Sequence, residues 1–122
     1  MCIRDRDATG LKDSAVKFWA AWTATNDLAG VAALKLLDSN SAEIKSMRTN
    51  KNLRRTGVAS LLVQHLIYEA RLLEITSLYL ETGSMPEFAA ARALYRKFGF
   101  TCCEPYGDYI EDPNSVFMSL NI

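Results

Sequence analysis

An α+β domain built on a mixed sheet is the fold class this sequence predicts, and three observations predict it. The apolar pattern changes period once, from β-branched and alternating before Thr49 to three-and-four spacing after Gly57. Two helical runs flank a short strand, and a strand, helix, strand unit needs a crossover, hence a parallel pair inside an otherwise antiparallel sheet. The length of 122 residues, 49% hydrophobic and 23% charged, supplies one core and one domain.

Residues 16–23 are rich in aromatic and β-branched types and read as the first strand. Asn26-Asp27 turns the chain into a second strand at 28–37, and Asp38-Ser39-Asn40-Ser41 turns it into a third at 42–49, completing a meander. From Val58, Leu61, Leu62, Leu66, Ala70 and Leu73 share one helix face, while Gln64, Tyr68 and Arg71 lie off it. His65, near the edge of that face, reads as a packing residue. Residues 77–81 form a short strand, and Pro86 suits the first turn of a second helix whose apolar face carries Phe88, Ala91, Leu94, Tyr95 and Phe98. Gly99 is placed as its left-handed cap. Strands at 100–105 and 115–121, joined by a long loop at 106–114, complete the order β-β-β-α-β-α-β-β over residues 16–122. Residues 1–15 are set apart as a remnant or scar without a function of their own.

Lys plus Arg and Asp plus Glu number 14 each, so no overall field favours nucleic acid or an anionic membrane. The basic cluster of Arg48, Lys51, Arg54 and Arg55 is a local patch. No apolar run reaches the length of a membrane span, and residues 1–6 lack the apolar centre of a secretion signal. An odd count of 3 cysteines, two of them the neighbours Cys102 and Cys103, points to a reduced, cytoplasmic compartment. With His65 as the sole histidine and no Cys-x-x-Cys or His-x-x-x-His spacing, no metal is expected.

The most informative stretch joins the third strand to the first helix: Arg54, Arg55, Thr56, Gly57, Val58, Ala59 and Ser60. A strand that breaks into a small-residue turn and then a helix leaves backbone N–H groups unpaired at the positive end of the helix dipole, here beside two guanidinium groups. That combination is a cradle for a pyrophosphate. The plainer alternative is an exposed helix start with solvated arginines. A nucleotide-hydrolase site is excluded, because no Gly-x-x-x-x-Gly-Lys-Ser/Thr occurs.

Arg54, Gly57 and Ala59 stand in the register of the Gln/Arg-x-x-Gly-x-Gly/Ala signature, and Ala91, Leu94, Tyr95, Gly99 and Phe100 in that of Ala-x-x-Leu-Tyr-x-x-x-Gly-Phe. On these motifs the chain resembles the GNAT-type N-acetyltransferases, and the segments Glu81 to Met85 and Gly107 to Met118 resemble a bacterial subgroup of small acetyltransferases. Two departures stand out: Phe88 occupies a position where the family commonly has Asn, and the strand and two helices that usually precede the first strand exceed the residues available, so the domain reads as N-terminally shortened.

The resemblance implies acetyl-CoA as co-substrate and transfer of acetyl to a primary amine by direct attack through a tetrahedral intermediate. It implies cofactor contacts from Arg54 to Ser60, and an oxyanion donor from a strand bulge at Met47 or Arg48. Tyr95 matches the tyrosine that protonates the departing thiolate. Glu43, eleven residues before Arg54, matches a catalytic glutamate, with Glu81 or a water relay as its rivals and a sheet-surface carboxylate as the plain alternative. Asp108, Glu111 and Asp112 fall where the family's last strands border the acceptor, which suggests a small cationic amine. A solvated acidic loop is the alternative there. The competing function is a shortened, non-catalytic acetyl-CoA-binding or dimerising module, with Phe18, Trp19 and Trp22 as exposed aromatics seeking a partner such as a second copy.

Overall fold

The computed structural model describes residues 2–6, 16–53 and 57–122. Among them the chain forms β1 (Cys2–Arg6), β2 (Val16–Trp22), β3 (Leu28–Leu36), β4 (Ser41–Thr49), α1 (Val58–Leu72), β5 (Ser77–Gly83), α2 (Ala89–Lys97), β6 (Thr101–Cys102) and β7 (Ser115–Asn121). The seven strands make one sheet in the order β1-β2-β3-β4-β5-β7-β6. Every neighbouring pair is antiparallel except β4 and β5, which run parallel across the α1 crossover. This is the mixed sheet expected from the strand, helix, strand unit.

Several boundaries differ from the sequence reading for identifiable reasons. Cys2–Arg6, set apart from the domain above, pairs antiparallel with β2 as an edge strand. The strand expected at 100–105 shrinks to two residues, because Phe100 is occupied in closing α2. Its N–H donates to Tyr95 O at 3.1 Å while that of Gly99 donates to Arg96 O at 2.9 Å, the paired bonds of a Schellman cap. Gly99, at φ 102, supplies the left-handed residue this cap requires. Phe100 then folds back edge-on against Tyr95, with ring centroids 5.7 Å apart.

Residues α1 buries are Val58, Leu62, Val63, Leu66 and Ala70. Leu61, expected on that face, is exposed instead, and Val63 takes the inward position one helical step away. The helix lies against β3 and β4 so closely that a Cβ on Gly30 would meet Arg48 O at 2.8 Å and Leu62 Cδ1 at 3.0 Å. His65 packs edge-on to Trp19 at 5.6 Å and sets its Nε2 3.4 Å from Glu69 Oε1, one turn on. Trp19 is consequently buried, which corrects its reading as an exposed aromatic and leaves only Phe18 and Trp22 half-exposed.

Phe88, in place of the family's usual Asn, covers the end of β5. A Cβ at Gly83 would stand 2.2 Å from its ring, so this aromatic and this glycine fit only together.

Gly30→Ala forces α1 or the β4 backbone outward and costs about 1–3 kcal/mol. Urea denaturation monitored by tryptophan fluorescence measures it, and an unchanged midpoint contradicts the close approach.

Candidate active site

Where β4 and β5 part company, the sheet opens. Their pairing consists of Ser41 with Ser77, Ala42 with Leu78 and Glu43 with Tyr79, although both strands continue for several residues beyond. Each strand keeps its outer partner, β3 for β4 and β7 for β5, so neither loses its place in the sheet. A cleft of about 1050 Å³ fills the split. Its walls are the diverging ends of β4 and β5, the start of α1, the inner face of α2, and Tyr109, Asn114 and Ser115.

The β4 wall is irregular. Val31 pairs with Arg48 and Ala33 with Lys45, so the single residue Ala32 faces both Ser46 and Met47. This is a bulge, and Ser46 takes the left-handed backbone at φ 55 that it demands. The bulge interrupts the ladder that β4 shares with β3 and bends β4 where its other edge borders the cleft. Met47 and Arg48 both line it.

At the start of α1, Gly57 stands at φ 89, and a side chain there would meet nothing within 4 Å. The first intrahelical bond runs from Leu61 N–H to Gly57 O at 3.0 Å, so the N–H groups of Val58, Ala59 and Ser60 precede the helical ladder. Among the described residues no side chain caps them, no acidic residue lies in the first turn, and all three residues line the cleft. This is an anion-receptive helix end opening into the same cavity as the bulge. Arg54, Arg55 and Thr56, assigned to the cradle from sequence, lie outside the described residues.

Glu43 marks the apex of the split. It is 2% exposed, the one buried charged side chain among the described residues. Its Oε2 accepts hydrogen bonds from the hydroxyls of Tyr106 and Tyr109, each at 2.7 Å, and its Oε1 lies 3.8 Å from Lys45 Nζ. A buried carboxylate without partners is costly, and charge-assisted hydrogen bonds offset that cost. Burial and the neighbouring carboxylate push both phenols well above the ordinary tyrosine range, so they remain donors. Rings hold the phenols in place: Tyr106 packs on Tyr79 at 4.8 Å, on Tyr109 at 5.1 Å and on Phe117 at 5.8 Å.

Sequence reasoning missed these two tyrosines. They stand three residues apart around Gly107, in the segment read above as a long loop whose part from Gly107 resembles a bacterial subgroup.

Tyr95 and Glu81 also line the cleft, so Glu43, Glu81, Tyr95, Met47, Arg48 and residues 57–60 share one cavity. Glu81 is exposed and accepts a hydrogen bond from Ser115 Oγ at 2.7 Å. Tyr95 is buried, and burial pushes its phenol up to about 12. Asp108, Glu111 and Asp112 stand apart from this cavity. Glu111 and Asp112 border a second depression of about 540 Å³ near Cys102 and Cys103, and Asp108 borders neither.

A split parallel pair, a bulged wall and a helix N-terminus open to one cleft define the class of mixed-sheet domain to which this chain belongs. A model of the acetyltransferase (GNAT) family matches residues 3–100. The chain is 52% identical over 109 residues to the uncharacterized N-acetyltransferase YsnE of Bacillus subtilis, covering 89% of this chain and 72% of that protein. It is 46% identical over 116 residues to the uncharacterized N-acetyltransferase YedL of Escherichia coli, covering 95% and 72% respectively. A GNAT family acetyltransferase from Elizabethkingia anophelis, solved with acetyl-CoA bound, has the same fold at a TM-score of 0.81 and 16% identity, covering 99% of this chain and 97% of that one. The chain belongs to the acetyltransferase (GNAT) family, and it is an enzyme of that family's N-acetyltransferase kind.

Raised phenol pKa values tie stability to alkaline pH. An unfolded tyrosine ionises near 10, while folded Tyr95 holds its proton to about 12. Above pH 10 the native state therefore binds more protons than the unfolded state, and stability falls as pH rises. Tyr95 alone gives a slope approaching about 1.4 kcal/mol per pH unit between those values. Urea midpoints at pH 8, 10 and 11.5 should fall in that order, and Tyr95→Phe should flatten the decline.

Proposed function

We propose that this chain transfers an acetyl group from acetyl-CoA to the primary amine of a small molecule. The observation that carries the reading is the convergence on one cleft of an uncapped helix N-terminus, a strand bulge, a buried carboxylate and a tyrosine. Each corresponds to a separate demand of acyl transfer.

Backbone N–H groups of Val58, Ala59 and Ser60, with the α1 dipole behind them, would hold the pyrophosphate, and Arg54, Arg55 and Thr56 are assigned to the same task. When bound, acetyl-CoA supplies an acetyl group activated as a thioester. A backbone N–H of Met47 or Arg48, turned by the bulge, would take the negative charge that develops on the acetyl oxygen. An alkyl ammonium, with a pKa near about 10.4, must shed a proton before it attacks, which calls for Glu43, Glu81 or water as base.

At the other end, Tyr95 faces the departing thiolate. A phenol at about 12 is a much weaker acid than a thiol near about 8.5, so Tyr95 stabilises the thiolate by donating a hydrogen bond and keeps its proton. The exposed Glu81 carboxylate on the cleft wall favours a cationic acceptor. Asp108, Glu111 and Asp112, outside the cleft, would contribute attraction at a distance.

Thiol release from acetyl-CoA should appear with at least one of ethylamine, spermidine, lysine and phenethylamine; silence with all four rejects the assignment. Tyr95→Phe should lower turnover roughly 10²-fold while acetyl-CoA affinity is preserved. For the helix end, Gly57→Asn retains a residue that tolerates the left-handed backbone, whereas Gly57→Asp adds a charge opposing the phosphates. Calorimetry should show Gly57→Asp binding acetyl-CoA at least about tenfold more weakly than Gly57→Asn, a difference of about 1.4 kcal/mol. Equal affinities would remove the pyrophosphate from this position.

A further inference from the structure

We infer that Tyr109 is the group that takes the proton from the acceptor amine, passing its own hydroxyl proton to Glu43 in the same step. This rests on the N-acetyltransferase reading above and deepens it by assigning the base.

Glu43 is badly placed to act alone. It is 2% exposed, and its Oε2 already receives two phenolic hydrogens at 2.7 Å, one for each of its in-plane lone pairs. Its Oε1 faces Lys45 Nζ at 3.8 Å. An amine approaching the carboxylate would meet an Oε2 already holding two donors and an Oε1 shared with the Lys45 ammonium. Tyr109 offers an acceptor instead. It lines the cleft, whereas Tyr106, bonded to the same oxygen, does not. A phenol that donates its hydrogen to Oε2 keeps its own oxygen lone pairs free to accept.

The step balances without a phenolate. An ammonium N–H bond breaks and its proton forms a new O–H bond on Tyr109 Oη. The original Tyr109 proton moves to Glu43 Oε2, and the electron pair stays on nitrogen for attack on the thioester carbonyl. Tyr109 is neutral before and after. Glu43 begins ionised and ends protonated, with Tyr106 holding Oε2 in line throughout as a positioning residue. Glu81, by contrast, is exposed and engaged by Ser115 Oγ at 2.7 Å.

Two amines of the same carbon skeleton separate the relay from a merely structural loop anchor. Ethylamine is protonated at neutral pH, and 2,2,2-trifluoroethylamine, whose fluorines withdraw electrons, is not. Thiol release from acetyl-CoA would be followed with both. Tyr109→Phe and Glu43→Gln should each lose at least about tenfold with ethylamine while staying within about threefold with trifluoroethylamine, which also demonstrates a folded, acetyl-CoA-competent protein. Tyr106→Phe should lower both amines by one common factor. Equal losses on both amines for Tyr109→Phe, or no loss, overturns the relay. A selective ethylamine loss in Glu81→Gln with none in Tyr109→Phe overturns it in favour of Glu81. Silence of the unaltered protein with these two amines and with spermidine, lysine and phenethylamine rejects the amine-transfer reading itself, a result distinct from the others.

Discussion

β4 and β5 stay paired for three residues and then diverge, and the geometry of the cleft follows from that divergence. Strands normally separate only where their backbone groups find other partners, because an unpaired buried N–H or carbonyl is expensive. Here each strand is secured on its far side: β5 pairs with β7 along its whole length, and β4 pairs with β3 up to and beyond the bulge. The inner edges are thereby left for solvent or ligand.

The last pair before the split contains Glu43, the one buried charge among the described residues. Its position is consistent with a mechanical need as well as a chemical one. Residues 103–114 connect β6 to β7 on the far side of the split from β4. Two tyrosines of that loop reach one oxygen of a β4 carboxylate, so the loop is tied across the opening at its apex. Removing the carboxylate would leave two phenols without their acceptor, and removing one phenol would leave a buried charge short of a donor, so each member of the cluster offsets the desolvation of the others.

Much of this was legible in the sequence because it depends on local chemistry. The change of period at Gly57, the Gly99 cap and the crossover around 77–81 each follow from a few neighbouring residues, and the structure shows all three. Leu61 was misread because two adjacent leucines satisfy the same periodicity, and in the fold Leu62 is buried while Leu61 is exposed. Trp19 was misread because exposure depends on which helix residue lies opposite, here His65. The Tyr106 and Tyr109 hydroxyls were invisible for a stronger reason. Their partner lies 63 and 66 residues earlier, and no local pattern announces a contact made through the folded sheet.

Three tyrosines then divide between two tasks according to what surrounds each hydroxyl. Tyr95 is buried against Phe100 among apolar neighbours, and desolvation is the sole cause that raises its pKa. Such a phenol, with no carboxylate hydrogen-bonded to it among the described residues, would serve the proposed reaction as a donor to the departing thiolate. Tyr109 has the same side chain but an ionised carboxylate 2.7 Å behind its hydrogen. A proton offered to its oxygen can be matched by one leaving the other side, so it conducts where Tyr95 only donates. The proposed reaction needs both behaviours, conduction where the ammonium must be neutralised and donation where the thiolate departs. The fold supplies them from one residue type by placing a carboxylate at the apex of the split and an aromatic ring at the end of α2.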